Sequence, residues 1–180
     1  LALDVATKLG KSVNVEVLGG ETEVDRSVLE VLGDPLIHMV RNAIDHGIES
    51  SSERVALGKP AAGTLCVKAI PGDGDVTILV HDDGRGLDPA KLRSAAVGKG
   101  VLTPDRAKEL ADHEALELIF ASGFTTIAVV SEVSGRGVGM DIVRSTDEKV
   151  GGVIEVESEV GVGTGFRLTL PLSLSVARCL

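Results

Sequence analysis

Hydrophobic and polar residues alternate in several short stretches of this chain, and most of these stretches end at glycine or proline. Alternation with a period of two is typical of strands that bury one face. The second and third stretches are joined by a turn at residues 71–75, and the last two form a hairpin around Gly161–Gly165. The pattern predicts strands at Val13–Val17, Thr64–Ile70, Val76–Val80, Val153–Ser158 and Phe166–Pro171.

Between the first two predicted strands, apolar residues recur at helical spacing. Asp34 followed by Pro35 predicts a helix start, with Asp34 as the N-cap and Pro35 at the first helical position. This helix is expected to run to about Gly47. Short helices are expected between about residues 89 and 132, with starts at Thr103-Pro104 and Asp112.

One face of the predicted helix is polar. His38, Asn42 and then Asp45 or His46 recur at helical spacing, so they project from one side. An asparagine oxygen suits Mg²⁺, which usually takes one or two protein ligands beside phosphate and water. A histidine one turn earlier can order a metal-bound water or a γ-phosphate, or accept a proton near neutral pH. For an isolated His/Asn pair, satisfied surface polar groups are the simpler interpretation.

Asp82 follows a predicted strand and begins the motif Asp-Asp-Gly-Arg-Gly. A carboxylate at a strand end can accept a hydrogen bond from an exocyclic amine such as that of adenine. Gly84 and Gly86 would let the backbone approach a ring without interference from a Cβ atom. Asp83 is expected to face solvent. Taken alone, the motif is as commonly a simple turn.

A second glycine-rich turn contains Gly135, Gly137 and Gly139 and precedes a predicted helix. Its NH groups and the helix N-terminus can bind phosphates. The spacing fits neither a Walker A loop nor a dinucleotide fingerprint, and residues 10–12 (Gly-Lys-Ser) lack the upstream glycine and are predicted to be a loop. The nearest candidates for contact with phosphates are Lys91 and Arg136. A solvated surface role is nevertheless common for such basic side chains.

Composition narrows the possible functions. A length of 180 residues, with 43% hydrophobic and 25% charged residues, predicts one domain with a hydrophobic core. Three phenylalanines are the only aromatic residues and the net charge is −9, so nucleic acid is not an expected partner. Two distant cysteines predict neither a disulfide framework nor a zinc site. No membrane span or signal peptide is visible, and Leu1 and the apolar final residues suggest a piece of a longer protein.

Together and in this order, the motifs resemble the ATP-binding boxes of the GHKL superfamily, which groups histidine kinases with gyrase B, Hsp90 and MutL ATPases. More narrowly, they resemble the ATP-binding kinase domain of the CheA family of chemotaxis histidine kinases. The resemblance implies a two-layer α/β sandwich of the Bergerat type over residues 1–172, with a mixed sheet and helices on one face. Residues 173–180 would begin a receptor-coupling, CheW-like domain or a linker. Four stretches carry the resemblance: Asp34–Ile48, Phe120–Thr126, Val133–Asp141 and Gly163–Leu172.

The resemblance also implies a site. Asn42 would bind Mg²⁺ and act in catalysis with His38, Asp82 would bind the adenine amine, and Thr164 would lie near adenine. A lid over the phosphates would be bounded by residues 120–124 and the second glycine turn. The implied ATP-binding residues are His38, Asn42, Asp45, His46, Asp82, Gly84, Gly86, Lys91, Gly135, Arg136, Gly137, Gly139, Met140 and Thr164.

The implied reaction transfers the γ-phosphoryl of Mg-ATP to a histidine on a separate phosphotransfer domain and leaves ADP. The implied full-length protein is a cytoplasmic homodimer coupled to chemoreceptors and a CheW-type adaptor. Gyrase-like members have a water-activating glutamate at the position of His38, so this histidine favours a kinase over an ATPase. A nucleotide-binding signalling module without kinase activity is the other alternative. Its support is that Ser94, Ala95 and the stretch 145–149 depart from the family pattern.

Overall fold

The computed structural model of this chain describes residues 2–121, 124, 140, 143–144 and 151–172. Over these residues, five strands form one mixed sheet in the order β1-β2-β3-β5-β4. Strand β1 runs parallel to β2, and the other neighbouring strands pair antiparallel. The predicted strands are therefore confirmed. Their bounds are β1 Val13–Leu18, β2 Gly63–Pro71, β3 Asp75–Asp82, β4 Val153–Glu159 and β5 Gly163–Pro171.

Six α-helices connect or flank these strands within the described residues. A π-helical turn, Ala43–Gly47, continues the second helix, and a 3₁₀ turn, Leu118–Phe120, continues the sixth. The predicted starts at Thr103-Pro104 and Asp112 are confirmed. The bounds are α1 Ala2–Lys8, α2 Arg26–Asn42, α3 Ser51–Ala56, α4 Pro89–Gly98, α5 Pro104–Glu109 and α6 Asp112–Glu117.

The predicted start of α2 was wrong. The helix begins at Arg26, where the Asp25 carboxylate accepts a 2.8 Å hydrogen bond from a backbone NH of the first turn. Pro35 lies inside the helix and is buried, although a proline there removes one backbone hydrogen bond. Val28 and Leu32, in the turns before it, are also buried. The helix therefore continues through Pro35 because its early turns pack on the core.

The sheet has one covered face and one open face. On β3, Val76, Ile78 and Val80 are buried against the helical layer, whereas His81 on the opposite face is exposed. The same alternation along β5 buries Phe166, which packs edge-on against Phe120 with ring centroids 6.3 Å apart. The predicted arrangement of a mixed sheet with helices on one face is confirmed.

The register of the sheet brings the motif that begins at Asp82 together with the stretch Gly163–Leu172. Asp82, the last residue of β3, pairs with Thr164 at the beginning of β5. Gly47, which ends the π turn after α2, lies beside Asp82, because a Cβ atom on Gly47 would be 3.0 Å from the Asp82 carboxylate. Among the described residues, no helix is long and apolar enough to cross a membrane.

Candidate functional site

A cleft opens between the C-terminal end of α2, the end of β3 and the start of β5. Its volume is about 710 Å³ when the space open to solvent at the mouth is included. Apolar walls come from Leu87, Ile119, Phe124 and Phe166. Seven residues that the sequence predicted to bind a ligand line this cleft: His38, Asn42, His46, Asp82, Gly86, Met140 and Thr164.

The end of α2 is capped by a lysine that lies much earlier in the sequence. The Lys11 ammonium donates three hydrogen bonds of 2.6–2.8 Å to the carbonyls of Ile44, Asp45 and Ile48. These carbonyls would otherwise lack partners at a helix end. Burial lowers the pKa of Lys11. The sequence predicted only a loop at residues 10–12 and gave no local sign of this capping role.

His46 lies on the π turn that Lys11 caps, and its side chain lines the cleft. Its Nε2 is 3.3 Å from the Asp45 carboxylate. Burial, helped by the charges of Lys11 and Arg85, lowers the pKa of His46, and Asp45 opposes that change. His46 is therefore neutral at pH 7 and can accept or donate a hydrogen bond in the cleft.

Asp82 is the buried carboxylate of the cleft, with 3% of its surface exposed. Its Oδ1 accepts a 2.9 Å hydrogen bond from the Gly84 NH. Burial raises the pKa of Asp82 to about 6, while hydrogen bonds from the Gly84 and Thr164 backbone oppose the rise. Such a group is a specific acceptor, because a donor that enters the cleft favours its ionised form.

The two glycines of this motif make room for protein backbone. A Cβ atom on Gly84 would lie 2.2 Å from the Gly47 carbonyl oxygen, and Gly84 does not line the cleft. Gly86 lines the cleft with φ +71°, and its Cβ atom would lie 2.1 Å from the Glu159 carbonyl oxygen. Each glycine is therefore needed for contact with another part of the chain, and the expectation that both let the backbone approach a ring stays a prediction.

As predicted, Asp83 is more exposed to solvent than Asp82, with 35% of its side-chain surface accessible. The Asp83 carboxylate is nevertheless paired. Its Oδ1 accepts a 2.8 Å hydrogen bond from the Thr64 NH, and its Oδ2 accepts one of 2.9 Å from Arg54. Two other predicted residues do not line the cleft: Asp45, which is half-buried beside His46, and Lys91, whose side chain is exposed on α4. Their roles in ligand binding stay predictions. Four more lie outside the described residues: Gly135, Arg136, Gly137 and Gly139.

Asn42 is the last residue of α2 and projects into the cleft. Its amide NH₂ is engaged by the Met140 sulfur, which leaves the amide oxygen available to a cation. Within the described part of the chain, no group of three or more His, Cys, Asp or Glu side chains could hold a metal ion. A divalent cation at Asn42 would therefore draw most of its ligands from a bound anion and from water, as Mg²⁺ does in nucleotide sites.

Comparison with known sequences identifies the family. The profile of the family described as histidine kinase-, DNA gyrase B- and HSP90-like ATPase matches residues 32–174. The chain belongs to this family. The residues that line the cleft lie within the matched region, so the cleft belongs to the ATP-binding domain of this family.

The chain is similar to proteins named as a sensor histidine kinase and as a chemotaxis protein. The sensor histidine kinase CheAY of Helicobacter pylori is 48% identical over 177 residues, which cover 98% of this chain and 22% of that protein. The chemotaxis protein CheA of Bacillus subtilis is 44% identical over 169 residues, which cover 94% of this chain and 25% of that protein. The chain thus spans about a quarter or less of the length of these relatives.

Solved structures of histidine kinases share the fold. The kinase domain of the blue-light activated histidine kinase EL346 of Erythrobacter litoralis matches with a TM-score of 0.55 and 17% identity, covering 95% of this chain and 61% of that chain. Full-length ShkA in complex with AMPPNP matches with a TM-score of 0.54 and 20% identity, covering 98% of this chain and 30% of that chain. The family member described here therefore has the α/β fold of histidine kinase ATP-binding domains.

Proposed function

We propose that this chain is the catalytic ATP-binding domain of a chemotaxis-type protein histidine kinase. It would transfer the γ-phosphoryl of Mg-ATP to a histidine on a separate phosphotransfer domain. The observation that carries the proposal is the pairing, across one cleft, of a buried base-reading carboxylate, Asp82, with a helix face that presents His38 and Asn42. The names of the chemotaxis relatives support the same proposal.

The proposed role of Asp82 is to select the base. Its carboxylate accepts hydrogen bonds from the backbone of Gly84 and Thr164, and the remaining lone pairs of a carboxylate can accept from the exocyclic amine of adenine. Thr164, which pairs with Asp82 in the sheet, lies on the same side of the cleft. The apolar side chains of Ile119 and Phe166 supply surface on which a purine ring can be buried.

Asn42 is the proposed magnesium ligand. Its amide oxygen is a hard donor of the kind that Mg²⁺ prefers, and a single protein ligand is enough when phosphates supply the others. When bound, the cation would neutralise charge on the phosphates of the nucleotide. His38, one helical turn before Asn42, would contact the γ-phosphate or orient a water beside it. Gly135, Arg136, Gly137, Gly139 and Lys91 remain proposed phosphate-side residues.

A histidine at position 38 favours transfer over hydrolysis. By the same resemblance, a GHKL ATPase would carry a water-activating carboxylate at this position, whereas this chain has a histidine that lines the cleft. A nucleotide-binding module without kinase activity is the second candidate. It is favoured by the exposed position of Lys91 on α4 and by the absence of a basic residue at Ser94 and Ala95.

The proposed partners follow from the chemotaxis relatives. The acceptor would be a histidine phosphotransfer domain of the same or a partner subunit. The longer protein would be a cytoplasmic homodimer coupled to chemoreceptors through a CheW-type adaptor. The acidic net charge of −9 agrees with a protein partner and not with nucleic acid.

The test is transfer of label from γ-labelled Mg-ATP to a separately supplied histidine phosphotransfer domain. A product that is labile in acid and stable in base, as phosphohistidine is, would establish the kinase. The Asn42→Asp variant should abolish this transfer, and undiminished transfer would contradict the metal assignment. Release of inorganic phosphate without any acceptor would indicate an ATPase. Bound nucleotide with neither transfer nor release would indicate the binding module.

A further inference from the structure

A largely buried cluster of charged side chains lies outside the lining of the cleft and contacts the peptide that follows Asp82. Its centre is Arg54 of α3, which has no exposed surface. Arg54 donates to the Pro60 carbonyl at 2.8 Å and to the Glu49 carboxylate at 3.0 Å. It also donates to the Asp83 carbonyl at 3.2 Å and to the Asp83 carboxylate at 2.9 Å.

Lys59 is the second cation of the cluster. Its ammonium donates to the Glu49 carboxylate at 2.9 Å, to the Asp83 carbonyl at 2.9 Å and to the Gly84 carbonyl at 2.7 Å. These three hydrogen bonds use all the donors of the lysine. Burial alone would raise the pKa of Glu49, but the hydrogen bond from Lys59 and the nearby positive charges hold it below its ordinary value.

The cluster is more than a device for stability. Arg54 and Glu49 are taken out of water, and a buried ion pair gains little net free energy of folding, since desolvation offsets much of its attraction. The cluster instead fixes the orientation of the Asp83–Gly84 peptide. Both Arg54 and Lys59 hold the Asp83 carbonyl oxygen, and the NH of that same peptide unit, on Gly84, donates to Asp82 Oδ1.

A peptide unit is planar, so a peptide whose carbonyl is held from one side has an NH with a fixed direction on the other. Here the held peptide joins Asp83 to Gly84. Its NH donates to Oδ1 of Asp82, and Asp82 lines the cleft. The cluster is therefore connected to the Asp82 carboxylate through one planar peptide unit, Asp83–Gly84.

We propose that Lys59 and Arg54 are positioning residues that orient the Asp82 carboxylate for recognition of an amino group on the purine ring. This inference rests on the proposed function, because it assumes that the cleft binds an adenine nucleotide. Neither residue lines the cleft. Their effect is on base selectivity, transmitted through the Asp83–Gly84 peptide.

The test compares ADP with IDP, which carries an oxygen in place of the adenine amino group. Binding of each is measured by calorimetry for the wild type, for Lys59→Met, and for Lys68→Met, which changes an exposed lysine of β2. Lys59→Met is expected to weaken ADP binding about tenfold and to leave IDP binding unchanged, because only ADP offers an amino group to the Asp82 carboxylate. Lys68→Met is expected to change neither.

Equal affinities of Lys59→Met and the wild type for ADP would overturn the inference. An equal loss for ADP and IDP would also overturn it, since that result describes a general structural role. If Lys59→Met does not fold, Lys59→Gln gives the same comparison with a neutral polar side chain. A wild type with no preference for ADP over IDP would overturn this inference and the proposed role of Asp82. Selective ADP binding without phosphotransfer would overturn the kinase proposal alone.

Discussion

Asn42 donates a hydrogen bond of 3.2 Å from its amide nitrogen to the sulfur of Met140. The contact joins the last turn of α2 to a residue that follows the second glycine turn of the sequence. A thioether can only accept, so the amide NH₂ points to the sulfur and the amide oxygen points away from it. Met140 thereby selects the orientation of Asn42 that the proposed Mg²⁺ site would require.

Met140→Leu should weaken the magnesium-dependent part of nucleotide binding. Leucine keeps a similar volume but cannot accept, so the Asn42 amide loses its preferred orientation. We expect ADP affinity in the presence of Mg²⁺ to fall roughly threefold to tenfold, with affinity in the presence of EDTA unchanged. Met39→Leu makes the same exchange at a fully buried core position and should leave both affinities as they are. An unchanged ratio of the two affinities in Met140→Leu would contradict the role of the sulfur.

Asp82→Asn should stabilise the ligand-free protein above pH 6 while impairing ADP binding. The folded-state pKa of Asp82 is raised from 3.8 to about 6 by burial, so ionisation in the folded protein is unfavourable by about 3 kcal/mol. This penalty is absent near pH 3.8 and below, grows as pH rises toward 6, and is complete above it. The free energy of unfolding should therefore be higher in the variant at pH 8 and similar to that of the wild type at pH 4.

Urea unfolding at pH 4 and pH 8 measures this difference. ADP binding by Asp82→Asn should fall at least about tenfold, because the new amide presents NH₂ to the adenine amine. If the wild type and the variant had the same pH dependence of stability between pH 4 and pH 8, Asp82 would not be the desolvated carboxylate described here.

Lys11→Met should destabilise the fold substantially. Three carbonyls at the end of α2 and the π turn lose their donor, and carbonyls without partners at a partly buried helix end are costly. We expect the free energy of unfolding to fall by about 3 kcal/mol. Lys8→Met, at an exposed position of α1, is the matched control and should change it by less than about 0.5 kcal/mol. Equal effects of the two substitutions would contradict the capping role of Lys11.

Gly86→Ala should harm the fold more than Gly100→Ala. Both glycines have a positive φ, +71° and +70°, so both substitutions introduce the same backbone strain of about 1–2 kcal/mol. Only at Gly86 does the new Cβ atom meet the chain, 2.1 Å from the Glu159 carbonyl, whereas nothing lies within 4 Å at Gly100. Thermal unfolding should show the larger loss for Gly86→Ala, with weaker ADP binding. Similar melting temperatures would show that the turn before β5 moves freely away from Gly86.

The sequence by itself determined the strands and the composition of the cleft. Alternation along residues such as Val76, Ile78 and Val80 is local, so it predicted the strands correctly. Helical spacing predicted that His38 and Asn42 share a face, and both line the cleft. Asp82 was predicted at a strand end, where the structure places it. These features follow from neighbours a few residues apart, which a sequence displays directly.

Only the tertiary structure decided where α2 begins, what Asp83 binds and what Lys11 does. The helix passes through Pro35 because its early turns are buried by distant parts of the chain. Asp83 is paired with Arg54, which is 29 residues away, and Lys11 reaches carbonyls 33 to 37 residues away. Desolvation and charge pairing depend on which residues the fold brings together. A local pattern cannot report these contacts, because it carries no information about distant partners.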